Sequence, residues 1–229
     1  RVKETIEGET INLSFIINEG EKILVERINI NGNNITNESV IRSELILDEG
    51  DPFTKLGLDK SVANIKSRNI FKTVKANVKN GSSTDLKIID IQVEEKPTGE
   101  ISAGAGVGTD GGTFAIILKE NNWLGEGKKV GIDLEVSEES LKGELSYENP
   151  NYNLLGNSLK YSLTNVTNDK PDQGYENTLI SAGVGTSFEQ FKDIFTSIGI
   201  SASYDDLKTL SNASSSLKKQ SGQFSEIAA

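Results

Sequence analysis

The chain has 229 residues, a length that fits one or two domains. It contains no Cys, His or Met, which excludes disulfides, thiol chemistry and the commonest transition-metal ligand. Its net charge of −10 is the opposite of the basic footprint typical of nucleic-acid binding. No group of residues has the makeup of a catalytic centre. We therefore expect no enzyme, no metal site, no cofactor and no nucleic-acid partner.

The first hundred residues mix strand and helix patterns. Alternation of apolar and polar residues predicts four strands, at residues 10–18, 23–30, 71–79 and 86–95. A helix is predicted from Thr36 or Asn37 to about Leu45, and a longer one after Thr54. The strand at 86–95 is partly apolar on both faces, which indicates a central position in its sheet.

The order of these elements predicts a small α+β module. Residues 22–97 read as β-α-α-β-β, which favours two helices on one face of a three-stranded sheet. Residues 10–22 resemble residues 85–97 in pattern, since both are alternating strands closed by acidic residues and lysine. We interpret residues 1–21 as the tail of a preceding copy of the same module.

Helix patterns end near Gly99, and residues 98–229 read as a second domain of antiparallel strands. Seven strands are predicted, at residues 100–108, 112–120, 128–136, 141–148, 157–165, 177–187 and 194–204. Several carry Leu, Ile, Val and Tyr on one face and charged or small polar residues on the other. The serine-rich residues 211–229 are predicted to begin a long loop.

Two architectures share this alternation. A soluble sandwich packs two apolar faces together, whereas a membrane barrel turns its apolar face to lipid and its polar face to water. Strands of about 8–10 residues approach the ~9–11 that span a bilayer. The pattern by itself favours neither architecture.

The first strand of the second domain is built almost wholly of tiny residues. Ile101, Ala103, Ala105 and Val107 alternate with Ser102, Gly104, Gly106 and Gly108. A glycine-rich strand packs weakly and holds its register poorly. We interpret this weakness as functional, and the alternative is that the glycines fit a crowded corner.

Two stretches carry a resemblance to a known family. The segment ENNWLGEGKKVGI at 120–132 and the segment YENPNY at 147–152 resemble the opening of the barrel in the BamA family of bacterial outer-membrane protein assembly factors. The module resembles the last POTRA domain of that family, including the GDPF bend at 50–53 and NIFKTV at 69–74. The resemblance covers essentially the whole chain and implies a POTRA module followed by about seven strands of an antiparallel transmembrane β-barrel.

The resemblance also implies a function and a place in a Gram-negative cell. The barrel would lie in the outer membrane and the POTRA domain in the periplasm, where they assemble and insert outer-membrane proteins. A client strand would add by β-augmentation to the lateral gate strand. The implied gate residues are Ile101, Ser102, Ala103, Gly104, Ala105, Gly106, Val107 and Gly108. A second binding edge in the POTRA domain would comprise Phe71, Thr73, Lys75 and Asn77.

Further roles and partners follow from the same resemblance. Trp123 would lie at a membrane interface, and Leu124 and Gly125 would shape a turn. The implied partners are unfolded outer-membrane proteins, lipoproteins of the assembly complex, outer-membrane lipids and periplasmic chaperones. The main alternative is a secretion pore of the same superfamily, of the two-partner or TamA type. A soluble adhesin would not need the helix-bearing module.

Overall fold

The computed structural model describes residues 2–7, 10–15, 20, 22–108, 111–153, 155–192 and 194–229. This part of the chain forms a two-stranded, a three-stranded and an eight-stranded sheet. None of its helices is long and apolar enough to cross a membrane.

The two-stranded sheet is an antiparallel hairpin of β1 (Val2–Glu7) and β2 (Thr10–Phe15). The sequence patterns predicted β2 but not β1. The last residues of the predicted strand, 16–18, lie outside the described residues. The assignment of residues 1–21 to a preceding module stays a prediction.

The predicted β-α-α-β-β module is confirmed. Its elements are β3 (Leu24–Asn31), α1 (Glu38–Arg42), α2 (Lys55–Ser67), β4 (Phe71–Asn80) and β5 (Leu86–Glu95). β5 is the central strand as predicted, parallel to β3 and antiparallel to β4. The hydroxyl of Thr54 accepts a hydrogen bond from the Gly57 N–H and caps α2. Helix α1 ends at Arg42, short of the predicted Leu45.

The hydrophobic core of the described residues lies in this module. Its buried members are Val25, Ile28, Val40, Ile41, Leu47, Leu58, Ile65, Ile70, Phe71, Val74, Ile89, Ile91 and Val93. Alternate residues of β5 face the two helices, because successive side chains of a strand point to opposite faces. The module therefore carries the packing expected of a water-soluble domain.

The eight-stranded sheet contains the rest of the chain. Its strands are β6 (Gly99–Gly108), β7 (Gly111–Trp123), β8 (Lys128–Ser137), β9 (Ser140–Asn149), β10 (Ser158–Lys170), β11 (Tyr175–Phe191), β12 (Ile194–Thr209) and β13 (Gly222–Ala228). Each strand pairs with its neighbours in sequence, all antiparallel, and β6 forms one edge.

All seven predicted strands are present and the sheet contains one more, whereas the prediction of a terminal loop at 211–229 was wrong. Residues 211–229 contain a short helix, α3 (Ser215–Gln220), and an eighth strand, β13, which pairs with β12. The hydroxyl of Ser214 caps α3 by accepting a hydrogen bond from the Leu217 N–H, 3.2 Å away. With only two large apolar residues in β13, the pattern was too weak to predict a strand that backbone pairing stabilises.

The large sheet has one apolar and one polar face. Ile132 pairs with Leu145 on the apolar face, and Asp133 pairs with Glu144 on the polar face. Ile132 and Leu145 are 37% and 48% exposed, and Ala213 is the only described hydrophobic residue beyond position 98 that is buried. No second sheet covers the apolar face in the described part of the chain. The described strands therefore do not form a β-sandwich, and the apolar face of the large sheet is exposed.

The two isoleucines Ile91 and Ile46 give a matched test of the module core, since they are 0% and 51% exposed. Ile91→Ala should lower the local stability of β5 by about 2–5 kcal/mol, because it leaves a cavity in the core. Ile46→Ala should change it by less than about 0.5 kcal/mol. Hydrogen exchange of the β5 amides in the whole chain measures both effects, and equal losses would contradict this placement of the core.

Candidate functional site

Strand β6 is an exposed edge. All ten of its residues are exposed, with Ile101 79% and Val107 93% accessible. Among the described strands it pairs with β7 alone, from Gly99 opposite Glu120 to Gly108 opposite Gly111. Its outer edge therefore presents the backbone N–H and C=O groups that another strand uses for pairing.

The β6 glycines are not required by crowding. A Cβ atom built at Gly104, Gly106 or Gly108 meets no described atom within 4 Å. None of the three has a positive φ. The crowded-corner interpretation is therefore wrong for the described part of the chain. What the glycines do supply is backbone freedom, which destabilises a strand by about 0.5–1 kcal/mol per residue relative to alanine.

The proposed POTRA binding edge, β4, lies at the margin of the three-stranded sheet. Thr73, Lys75 and Asn77 are exposed on one face. Phe71 does not share that face, because the pairing register shifts between Phe71 and Thr73 and turns Phe71 into the core. The predicted set is thus three exposed side chains and one buried anchor, and its binding role stays a prediction.

A joint connects the module to the large sheet. We define it as Thr36, Asn37 and Arg68 of the module together with Asn122 of β7 and Gly125 and Gly127 of the turn that follows β7. The Asn122 side chain donates to the Thr36 hydroxyl at 2.9 Å and accepts from the Gly127 N–H at 2.8 Å. The Asn37 N–H donates to the Gly125 carbonyl at 2.8 Å. The sequence also singled out Trp123, the last residue of β7, and Leu124, the first residue of the turn, and both are exposed.

The turn needs residues that tolerate a left-handed backbone. Leu124, Gly125 and Gly127 have φ values of 56°, 73° and 65°. A Cβ atom on Gly125 would lie 2.2 Å from the Ile35 carbonyl oxygen, and one on Gly127 would lie 2.6 Å from the Arg68 guanidinium. Glycine at 125 and 127 therefore allows both the turn and its close approach to the module.

Arg68 adds a buried charge to the joint. Its guanidinium donates to the Gly127 carbonyl at 2.6 Å and lies 3.6 Å from the Glu44 carboxylate. The two side chains are only 13% and 16% exposed. Burial lowers the pKa of Arg68, although the nearby charges of Glu44 and Glu148 act to raise it. Burial likewise raises the pKa of Glu44, although the charge of Arg68 acts to lower it. Because desolvation is the larger cause of both pKa shifts, the cost of burying the two charges offsets most of their attraction. The pair therefore adds little stability and serves mainly to fix the geometry of the joint.

Glu95, at the end of β5, holds the loop that carries Thr36 to the joint. Its carboxylate accepts the N–H groups of Asn34, Ile35 and Thr36, at 3.0, 3.0 and 2.6 Å. Burial opposes ionisation of this carboxyl, but the hydrogen bonds from Thr36, Ile35 and Asn34 outweigh it and lower the pKa of Glu95.

The connection from the module to β6 is short. Residues 96–98 separate β5 from β6. The Thr98 hydroxyl donates to Glu120 at 2.5 Å, and its carbonyl accepts from the Asn121 backbone N–H at 3.2 Å. The central strand β5 of the module therefore leads directly into the exposed edge strand β6, and the joint lies beside the connection at residues 96–98.

Sequence reasoning missed most of the joint. It named Gly125, but not Asn122, Gly127, Arg68 or Glu95. Their partners lie far away along the chain; Asn122 and Thr36 are 86 positions apart. The available signal was the pair of glycines at 125 and 127, because two glycines separated by one residue favour a tight turn.

Gly125 and Gly156 allow a matched test of the joint. Both have positive φ values, 73° and 78°, but a Cβ atom at Gly156 meets no described atom within 4 Å. Gly125→Ala should speed hydrogen exchange of the Asn37 amide about tenfold or more, equivalent to about 1.4 kcal/mol, because the new methyl group pushes the loop away. Gly156→Ala should leave that amide unchanged. Similar exchange rates of the Asn37 amide in the two variants would show that the close approach of Gly125 to the module does not hold this loop in place.

Glu95 makes the joint sensitive to acid. Because its folded pKa lies below the ordinary value of 4.5, its stabilisation is complete above that pH and is lost as pH falls through the lowered pKa. Wild type should exceed Glu95→Gln in resistance to urea at neutral pH, and the difference should shrink below pH 4.5. Trp123 fluorescence reports the transition. A difference independent of pH would contradict the role of the ionised carboxylate.

Comparisons with known proteins identify both domains. Residues 23–96 match the POTRA family, described as a surface antigen variable number repeat. Residues 122–228 match the Omp85 superfamily domain.

Curated relatives are assembly factors. The chain is 32% identical over 146 residues, 61% of its length, to a putative outer membrane protein assembly factor of Treponema pallidum, of which it covers 17%. It is 27% identical over 196 residues, 85% of its length, to BamA of Neisseria meningitidis serogroup B, of which it covers 23%. It is 30% identical over 184 residues, 75% of its length, to BamA of Buchnera aphidicola, of which it covers 30%. The chain thus spans less than a third of these relatives.

Solved structures share the fold. BamA from Haemophilus ducreyi lacking POTRA domains 1–3 superposes with a TM-score of 0.74 at 20% identity, over 100% of this chain and 47% of that one. CdiB from Acinetobacter baumannii gives 0.55 at 13% identity, over 90% and 41%. The eight-stranded sheet thus resembles part of the BamA barrel. The chain therefore contains a POTRA domain followed by an Omp85 superfamily domain, and its curated homologues include BamA assembly factors.

Proposed function

We propose that this chain is part of an outer-membrane protein assembly factor, in which β6 templates the strands of incoming client proteins. The observation that carries this proposal is the state of β6, an exposed, glycine-containing edge that pairs on one side in the described residues. An edge of this kind accepts an extended chain through backbone hydrogen bonds, which is β-augmentation.

The proposed mechanism needs no covalent chemistry. Each backbone hydrogen bond contributes about 0.5–1.5 kcal/mol net in water, and more where lipid removes water as a competitor. A client strand adds to β6 one hydrogen bond at a time. Because glycines weaken the hold of β6 on its neighbours, partners exchange at low cost.

The proposal also assigns places to the two domains. The large sheet lies in the outer membrane with its apolar face, including Ile132 and Leu145, in contact with lipid. The POTRA domain lies in the periplasm and receives unfolded outer-membrane proteins at β4. Lipoproteins of an assembly complex and periplasmic chaperones are its further proposed partners.

A secretion pore of the same superfamily is the second candidate. It is supported by the structural similarity to CdiB from Acinetobacter baumannii and from Escherichia coli, with TM-scores of 0.55 and 0.57. The higher TM-score of 0.74 with BamA favours the assembly function. Depletion separates the two, because loss of an assembly factor lowers the level of many outer-membrane proteins, whereas loss of a secretion pore abolishes export of one partner.

Valine at two glycines tests the templating strand. Gly104→Val with Gly106→Val should slow client insertion into liposomes by about thirtyfold, since valine favours strand structure over glycine by about 1 kcal/mol per residue. The structure leaves room for both side chains.

Gly143 provides the control, because it lies in β9, which is paired on both sides. A Cβ atom there meets Leu134 at an ordinary contact distance of 3.5 Å. Gly143→Val should leave the insertion rate nearly unchanged. Insertion by the β6 double variant at the wild-type rate would contradict the templating role.

A further inference from the structure

The outer edge of β3 is already paired over its first half. The segment 49–53 runs beside it: the Gly50 N–H donates to the Val25 carbonyl at 2.7 Å, and the Val25 N–H donates to the Asp51 carbonyl at 2.9 Å. The Phe53 N–H donates to the Ile23 carbonyl at 2.8 Å. No incoming chain can pair with this part of β3 without displacing the segment.

Farther along β3, two charged side chains occupy the edge. At Ile28 the Glu49 carboxylate accepts the backbone N–H at 2.9 Å, and the Arg42 guanidinium donates to the backbone carbonyl at 3.1 Å. These are the two hydrogen bonds that a neighbouring strand would form with Ile28. The side chains of Arg42 and Glu49 thus imitate a strand.

A small charge network holds the two side chains in place. The Arg42 guanidinium lies 2.6 Å from the Glu38 carboxylate, one helical turn away, and 3.9 Å from Glu49. Charge-assisted hydrogen bonds are stronger than those between neutral backbone groups. An incoming backbone would exchange two charge-assisted bonds for two neutral ones and is at a disadvantage at Ile28.

The opposite edge of the same sheet is different. Strand β4 has β5 as its one neighbouring strand in the described residues, and its exposed face carries Lys75 and Asn77. Two edges of one small sheet therefore differ in access: the first is occupied by chain and side chains, and the second has no other described strand beside it.

We propose that Arg42 and Glu49 are positioning residues that close the β3 edge and so direct extended client segments to β4. This inference rests on the proposed receipt of clients by the POTRA domain. It assigns the choice between two edges to one pair of side chains.

Photo-crosslinking in the full-length protein, purified in detergent, tests this choice. p-Benzoylphenylalanine replaces either Lys75 on β4 or Arg27 on β3, which is exposed next to Ile28. The probe is a urea-unfolded eight-stranded outer-membrane protein. We expect crosslinks from position 75 and few from position 27. The double variant Arg42→Ala with Glu49→Ala should raise the yield at position 27 at least fivefold.

Two controls keep the result interpretable. Lys55 and Asp59 form another exposed ion pair, 2.7 Å apart on α2, so their double alanine variant removes the same charges without touching β3. It should leave the crosslink yield at position 27 as low as in the wild type. Glu49→Gln keeps an acceptor of the same length but loses the charge, so it should raise the yield at position 27 less than the double alanine variant of Arg42 and Glu49 does. Hydrogen exchange of the β5 amides confirms that the module stays folded.

The outcomes separate this inference from the function on which it rests. Crosslinks at position 75 with no rise at position 27 in the Arg42–Glu49 variant would overturn the inference and leave receipt at β4 standing. Strong crosslinking at position 27 in the wild type would overturn it as well. Absence of crosslinks at position 75 in the wild type would overturn receipt at β4 together with the inference. A rise at position 27 with faster β5 exchange would reflect opening of the module and would also count against it.

Discussion

Backbone hydrogen bonding at strand edges is the constraint on which the rest of this structure depends. Every N–H and C=O group removed from water needs a partner, and six strands of the described sheets have a neighbouring strand on one side only: β1, β2, β3, β4, β6 and β13. At β3 the chain provides partners from its own segment 49–53 and from Arg42 and Glu49. The contrast indicates which edges are available to other chains.

The two parts of the chain bury apolar surface in opposite ways. The POTRA module packs its apolar residues inward between helices and sheet, whereas the large sheet exposes an apolar face along its strands. The joint around Asn122 connects them through polar contacts and close approach at two glycines. Such contacts require a defined geometry, so the module holds a fixed position beside the start of β6.

Local patterns predicted what depends on local periodicity. Alternation located seven of the eight strands in the large sheet, and apolar residues at Leu58 and Ile65 located α2. Contacts between distant residues were beyond such patterns. The bulge that buries Phe71 shifts the alternation by one residue, β13 is stabilised by pairing with β12, and the Asn122–Thr36 hydrogen bond joins two domains. Each of these depends on a partner that the local sequence does not reveal.

Disulfide trapping at β6 tests the central claim most directly, because the chain has no Cys of its own. Ser102→Cys on the edge strand is compared with Ser146→Cys in β9, a strand paired on both sides. Single cysteines are scanned along the terminal strand of a client during its assembly. If the client pairs with β6 in one register, position 102 should form disulfides with client cysteines on one face of the client strand, which recur every second residue. Position 146 should form none. Equal trapping at both positions, or none at position 102, would contradict the central claim.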